Sequence, residues 1–425
     1  MKNYYSIIVI GAGYAGSAAA IAAAKEGAEV LLIDEGNCAG GAAANALITP
    51  YMPYFTFKDG ERIILSAGIF KEITDGIASL AKEFDGENAD FSKPIQTHNE
   101  EYMKIVLNRM FRKYGVKVIY HAKAVSVNKN GNRIDSVDIS AVDGIHRLKA
   151  GYYIDATGNA DIAYLAGFPT HLGRECDSQC QPMTLCFRVG YIDTKAFFEN
   201  KAEWQRKYKE YQSRGEITNP RENILVFRTT DPNILHFNTT RVIKKSPTNP
   251  DDLTEAEFIA REQVYEMFSF LKKEAKGCEN AVLISTALTI GIRESRMIDG
   301  EYTLTAEDLM SFTKFPDGIC ACNYDIDIHS PDGSGTSHWY FPQGEYYTIP
   351  YRCLIPKESE NLLVAGRCIS STHDAQASYR IMPTVCNIGQ AAGTAAALCE
   401  KHDCNVAELD TDTLRKRLIS CGAFL

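Results

Sequence analysis

At 425 residues, with 45% hydrophobic and 23% charged residues, the chain has the composition of a soluble globular protein of two or three domains. Its net charge of −9, with no block of like charges, argues against nucleic acid as a partner. Thirteen dispersed cysteines, an odd number, point to a reduced cytoplasmic setting, and the lack of any run of about 18 uninterrupted apolar residues argues against a membrane span.

Residues 7–10 read as a buried strand, followed by a glycine turn and an alanine-rich helix to about Glu26, with Gly27 as its stop. Residues 30–33 form a second buried strand ending at Asp34, which completes a βαβ unit with parallel strands. Residues 50–95 lose this rhythm and are expected to form a helical excursion. Glu100 to Tyr114 is a helix, because Met103, Val106, Leu107, Met110 and Phe111 share one face. Strands follow at 116–120, 124–127, 134–140 and 152–155, with Asn130-Gly131 as a hairpin turn.

The character then changes. Residues 183–189, 224–228 and 234–239 read as antiparallel strands, and Thr254 to Glu257 as a capping-box start for a helix to about Lys276. Thr305 to Asp308 starts another helix. Residues 311–350 have the Gly, Pro, Asp, Tyr and His content of binding loops. Near Leu362 the first rhythm returns as a strand, and Pro383 opens a small-residue helix. The cysteine pairs Cys176/Cys180 and Cys320/Cys322 lack C-x-x-C spacing, so no metal site is expected.

Gly11-x-Gly13-x-x-Gly16 links the first strand to the first helix. Gly11 permits the tight turn, and Gly13 lets the backbone approach a pyrophosphate at the helix N-terminus beside Tyr14 and Ala15. Gly16 lets helix and strand pack closely. Asp34 stands where a carboxylate accepts both ribose hydroxyls, and Glu35 beside it disfavours a 2′-phosphate. The motif alone does not separate NAD from FAD. Gly40, Gly41 and Ala42 lie where an extended FAD needs close backbone approach. Ala156, Thr157 and Gly158 end a strand in small residues. Gly366 and Arg367, with Met382, Pro383 and Thr384, make a second strand–loop–helix whose N-terminus would favour negative charge on a reduced flavin.

On these motifs, with "GIRESR" (291–296), "DIHSPDGSGT" (327–336) and "IPYRCL" (349–354), the chain resembles FAD-dependent oxidoreductases of the glutathione-reductase-like fold. Within them it is similar to the bacterial group related to fumarate reductase flavoproteins. The resemblance implies an extended FAD whose ring meets a substrate domain, and a backbone contact from Val125 to the adenine. There is no second glycine fingerprint for a nicotinamide nucleotide, and Cys38 stands alone before the Gly-Gly pair. A disulfide mechanism is therefore not expected, and the electron donor or acceptor stays unassigned.

On the substrate side, Arg293 and Arg296 are three apart with Glu294 between them. They suit either a carboxylate clamp or an ion-pair network joining domains. His373 and Arg380 lead into the second helix and are expected near the flavin. His338 and His329 lie in the loop-rich part, and Tyr346, Tyr347 and Tyr351 are pocket-wall or core candidates. Hydride transfer at flavin N5 needs a substrate carbon about 3–3.5 Å from the ring and a group to move the matching proton. The candidates are Arg293, His373, His338 and Arg380.

The expected fold is α/β: a Rossmann-like, glutathione-reductase-like FAD-binding domain (1–170 and 350–425) with an inserted antiparallel α+β substrate domain (171–349). The expected function is FAD-dependent oxidoreduction of a small molecule by hydride transfer. The alternatives are a flavin monooxygenase, or an electron-transfer subunit without its own substrate. Homo-oligomerisation is compatible with the sequence.

Overall fold

The computed structural model describes residues 2–86, 91 and 95–425. Its centre is a sheet in which Tyr4–Ile10 pairs in parallel with Val30–Ile33 on one side and with Gly144–Asp155 on the other. Lys117–Ile119 extends the Val30–Ile33 edge, also in parallel. The long strand Gly144–Asp155 then divides. Its C-terminal end pairs in parallel with Leu362–Val364, so Ile10, Asp155 and Val364 stand side by side. Its N-terminal end pairs antiparallel with Arg133–Ala141, which in turn pairs with Lys123–Asn130. Ile7, Ile8, Val9 and Val30–Ile33 are buried, as strands covered on both faces must be.

The helix Tyr14–Lys25 packs on this sheet and against Met382–His402. Both contact faces are built from Ala and Gly, and the backbones nearly touch. A Cβ placed on Gly389 would fall 2.0 Å from the Ala15 carbonyl oxygen, and one on Gly393 2.0 Å from that of Ala19. Glu100–Tyr114 buries the five residues expected. Asn99 caps it by accepting from Glu101 N at 2.9 Å, and Gly115 ends it at φ 73°.

A second core lies under a four-stranded antiparallel sheet ordered Val226–Arg228, Leu235–Phe237, Phe187–Gly190, Val282–Thr286. Phe187 and Phe237 stack at 5.0 Å, and Phe197, Trp204, Met267 and Phe270 from the covering helices complete it.

Three local readings are corrected. The long helix starts at Pro250, not at Thr254. Asn249 accepts from Asp251 N and Asp252 N, and Pro250 sits in the first turn, so Asn-Pro-Asp-Asp outcompetes the later capping box; Thr254 Oγ1 instead donates to the Pro250 carbonyl. Residues 183–186 make only isolated bridges before the strand Phe187–Gly190. Residues 311–350 hold two hairpin-like pairs, Gly318–Cys322 with Tyr347–Pro350 and Ile326–His329 with Thr336–Trp339. Cys320 and Cys322 are buried in the first of these. The excursion at 50–95 contains the helix Ile69–Asp85 and a hairpin of Phe55–Lys58 with Glu61–Ile64; 87–90 and 92–94 lie outside the described residues. No helix among the described residues is long and apolar enough to cross a membrane.

Candidate functional site

A cleft of about 1160 Å³ runs along the C-terminal ends of the parallel strands, where open α/β sheets bind ligands. The glycine fingerprint shapes one end. Gly11 has φ +99°, and a Cβ there would lie 2.3 Å from the Ala156 carbonyl oxygen. Gly16 has no room for a Cβ either, which would strike the Gly11 carbonyl oxygen at 1.7 Å. It therefore packs helix against strand and is not part of the cleft wall. Gly13 is the N-cap of Tyr14–Lys25 and brings no side-chain cap, so the first N–H groups of the helix face the cleft unsatisfied. Gly41 folds back onto Gly13, and Gly40 N donates to the Ala12 carbonyl at 2.8 Å.

Asp34 closes this end. Its Oδ2 accepts from Ala12 N at 2.5 Å and its Oδ1 from Gly36 N at 2.7 Å, which leaves lone pairs on both oxygens. Burial pushes its pKa up, and the two backbone N–H groups oppose that shift. Glu35 pairs with Lys123 at 2.9 Å on the exposed rim. Val125 lines the cleft beside His121, Ala122 and Lys123.

The turn after Gly144–Asp155 is held from inside by Asp155, which is fully buried. Its Oδ1 accepts from Thr157 Oγ1 at 2.7 Å, and its Oδ2 from Ile162 N at 2.8 Å. Burial raises its pKa to about 6, with the hydrogen bonds from Thr157 and from Ala163 N opposing. This fixes Ala156, Thr157 and Gly158 along the cleft. Asn159 is then gripped from three directions: its Oδ1 accepts from Arg367 Nη2 at 2.9 Å and Ser295 Oγ at 2.8 Å, and its carbonyl from Arg296 Nε at 3.0 Å. A Cβ on Gly158 would lie 3.0 Å from the Arg367 guanidinium carbon. Arg296 also pairs with Asp161, which makes it a tie between the two segments.

The far end is lined by Gly291, Ile292, Gly366, Arg367, Arg380, Met382 and Val385. Met382–His402 begins here without a side-chain cap, so a second helix N-terminus meets the cleft. Pro383 and Thr384 belong to its first turn but are not lining residues.

Three expected catalytic side chains also lie off the cleft wall. Arg293 Nη1 donates to the Pro182 carbonyl at 2.6 Å and to Thr184 Oγ1 at 2.5 Å. His373 Nδ1 is 2.8 Å from Glu294 Oε1, and Glu294 Oε2 accepts from Gln181 N at 2.8 Å. Glu294 therefore neutralises neither arginine of its own segment. His338 stacks on Tyr340 and lies 3.7 Å from Asp327. Tyr347 and Tyr351 are buried core residues, bonded to Ser378 Oγ and the Val406 carbonyl. Sequence reasoning missed the wall formed by Asn45, Ala46, Thr248–Pro250, Leu253 and Leu288–Ile290. These residues carry no motif, and only the fold brings them to the cleft.

The FAD dependent oxidoreductase family matches the chain over residues 6–418. No curated protein matches it. Among solved structures the chain is similar to a geranylgeranyl bacteriochlorophyll reductase-like protein from Thermoplasma acidophilum, with a TM-score of 0.49 and 12% identity over 100% of this chain and 92% of that one. It is also similar to p-nitrophenol 4-monooxygenase from Pseudomonas putida, with a TM-score of 0.49 and 11% identity over 100% and 87%. A flavin-dependent brominase gives a TM-score of 0.48 and 14% identity over 98% and 83%.

Proposed function

The chain belongs to the FAD dependent oxidoreductase family, and from that premise we propose that it catalyses hydride transfer between flavin N5 and a small organic substrate. FAD is the cofactor, and when bound it supplies two-electron redox chemistry. One observation carries the placement: a single cleft touches both uncapped helix N-termini and the Asp34 carboxylate. That donor set suits a dinucleotide with anionic groups at two points along its length.

In this reading Gly13, Tyr14 and Ala15 offer backbone N–H groups to the pyrophosphate, and Asp34 takes the ribose hydroxyls. The Val125 backbone meets the adenine, with Glu35 at the rim. Gly40 to Ala42 and Ala156 to Gly158 line the middle. Gly366, Arg367 and Met382 surround the ring end, with Pro383 and Thr384 behind them in the first turn of the helix. Arg380, on the wall there, is the side chain we place against substrate, with Arg293, His338 and His373 acting from behind it. The assignment of 1–170 and 350–425 as a glutathione-reductase-like FAD-binding unit is supported by the parallel sheet with its antiparallel arm. The separate core beneath the four-stranded sheet supports 171–349 as the substrate unit. Thirteen free thiols support a reducing, cytoplasmic setting.

The purified protein is expected to be yellow and to lose its flavin band when metabolites are screened anaerobically, with NADH and NADPH in parallel. A colourless protein that takes up no FAD would overturn the cofactor placement. Rapid bleaching by NADPH alone would favour a monooxygenase over the proposed reaction.

Asp34→Ala is expected to weaken FAD binding roughly ten- to a hundredfold, since hydrogen bonds to a charged group are each worth about 1.5–3 kcal/mol. Fluorescence titration of the apoprotein measures this. An unchanged affinity would remove Asp34 from the ribose site.

A further inference from the structure

Behind Arg380 lies a group of charged side chains that sequence reasoning did not assemble. Arg293 has Arg380, Arg221 and Arg241 as electrostatic neighbours, with Asp327 opposing them. Arg221 and Arg241 are only 5% and 1% exposed. The carboxylates facing these four guanidinium groups are Asp327 and the partly exposed Glu222. Four positive charges against two negative ones leave an excess of two. Arg367, beside Arg380, is bonded to Asn159 and has Asp161 opposing it, Glu294 is taken by His373 and Gln181 N, and Asp325 faces His338 and Asp327. His329 adds no charge: its Nδ1 accepts from Arg241 Nη2 at 3.0 Å, and burial holds its pKa down to about 3.

The hydrogen bonding is as lopsided as the charge. Arg241 is satisfied by the carbonyls of Gly333 and Gly335, by His329 and by Thr336 Oγ1. Arg380 Nη2 makes two long bonds of 3.3 Å, to Gln181 Oε1 and to the Asp327 carbonyl. Among the described residues, Arg221 Nε, Arg221 Nη1 and Arg380 Nε are buried with no partner. A network that only tied segments together would pair its donors, as Arg296 does with Asn159 and Asp161. Buried guanidinium groups in excess, with free N–H groups, are stable only when an anion completes them.

Building on the placement of substrate against Arg380, we propose that the substrate is a small anion bearing a charge of −2, held by Arg221 and Arg380 with Arg241 and Arg293 as charged support. Arg380 belongs both to the cleft wall and to this cluster, so an anion bound there lies at the edge of the cleft. The planar fork of Arg suits a carboxylate or phosphoryl group equally, so the shared chemistry is a compact dianion. A dicarboxylate and a phosphate monoester are its two sources.

The test uses the FAD-loaded protein at constant ionic strength in chloride, titrated with malonate and with inorganic phosphate. Binding is read from the flavin absorption spectrum and the melting temperature. At least one anion is expected to saturate, raise the melting temperature and perturb the flavin band, and the tighter of the two identifies the source. Arg221→Gln and Arg380→Gln are expected to weaken that binding at least tenfold. Lys209→Gln, an exposed charge change of the same size, leaves it unchanged. Should Arg221→Gln fail to fold, Arg221→Lys keeps the charge, loses the fork and is still expected to bind more weakly. No saturable effect of either anion on a protein that holds FAD would overturn the proposal while leaving the flavin assignment intact. Full binding by the arginine variants would overturn it as well. A protein that holds no FAD fails the flavin assignment instead, and its melting temperature still reports whether the anions bind.

Discussion

Lowering the pH from 7 toward 5 is expected to destabilise the protein through its buried histidines. His98, His236 and His329 are buried. Burial is the first cause holding their imidazoles below the usual 6.5, at about 4 for His98 and about 3 for the other two. Arg188 adds to the effect at His98 and His236 while Glu100 opposes it. Arg293 and Arg380 add to it at His329 while Asp327 opposes it. A base with a depressed folded pKa takes up its proton more readily in the unfolded chain. Below pH 6.5 the unfolded state therefore binds protons that the native state refuses, and stability falls as pH falls.

Each such group contributes about 1.4 kcal/mol per pH unit, and Asp155, whose folded value of about 6 makes the native state take up its proton first, offsets one of the three below pH 6, which leaves a slope of about 3 kcal/mol per unit. A total stability of about 5–15 kcal/mol does not survive many units of that slope. The carboxylates that cations hold low act later. Burial alone would raise Glu100 and Asp327, but Arg188 holds the first below its usual value, and His329 and Arg380 hold the second. Their contribution is present above the usual carboxylate range and is lost only as pH falls through the depressed values. Urea midpoints between pH 5 and 8 measure the slope, and His236→Asn is expected to remove about half of it below pH 6. A flat curve down to pH 5 would show that these imidazoles are not held neutral by burial.

The fingerprint end of the cleft was legible in the sequence because its geometry is local. Gly11, Gly13 and Asp34 sit within one βαβ unit, and the turn, the uncapped helix and the terminal acid follow from their spacing. The span of Glu100–Tyr114 was equally plain, since five apolar residues and two caps agree. The arginine cluster at the far end was not legible, because no short-range rule governs it. Arg221 and Arg241 come from segments around the antiparallel sheet, Asp327 from a hairpin, and Arg380 from the approach to the last long helix. They meet only after both cores have formed. His373 illustrates the same limit: its position before that helix suggested the ring, but a buried glutamate 79 residues away in sequence takes its Nδ1. The start at Thr254 failed for a different reason, since two capping signals lie five residues apart and the stronger Asn-Pro pair prevailed.

Gly389→Ala is expected to destabilise the protein, although the substitution raises helix propensity. In an exposed helix interior alanine is worth about 1 kcal/mol over glycine. Here the added Cβ would stand 2.0 Å from the Ala15 carbonyl oxygen, and its nearest neighbours are backbone atoms, which have no rotamer to escape into. The two helices must part. Overpacking of this kind costs about 1–3 kcal/mol per site, enough to reverse the propensity gain. Gly393 faces Ala19 in the same way one turn later, so Gly389→Ala with Gly393→Ala is expected to cost more than either alone. The loss is also expected to reach the cofactor, because Ala15 belongs to the first turn of the helix whose free N–H groups face the cleft. Urea unfolding and FAD titration should therefore change together, stability by about 2 kcal/mol and affinity in the same direction. A more stable Gly389→Ala variant with unaltered FAD affinity would mean that the helices are not held at backbone contact, and that the fingerprint helix is positioned by the sheet alone.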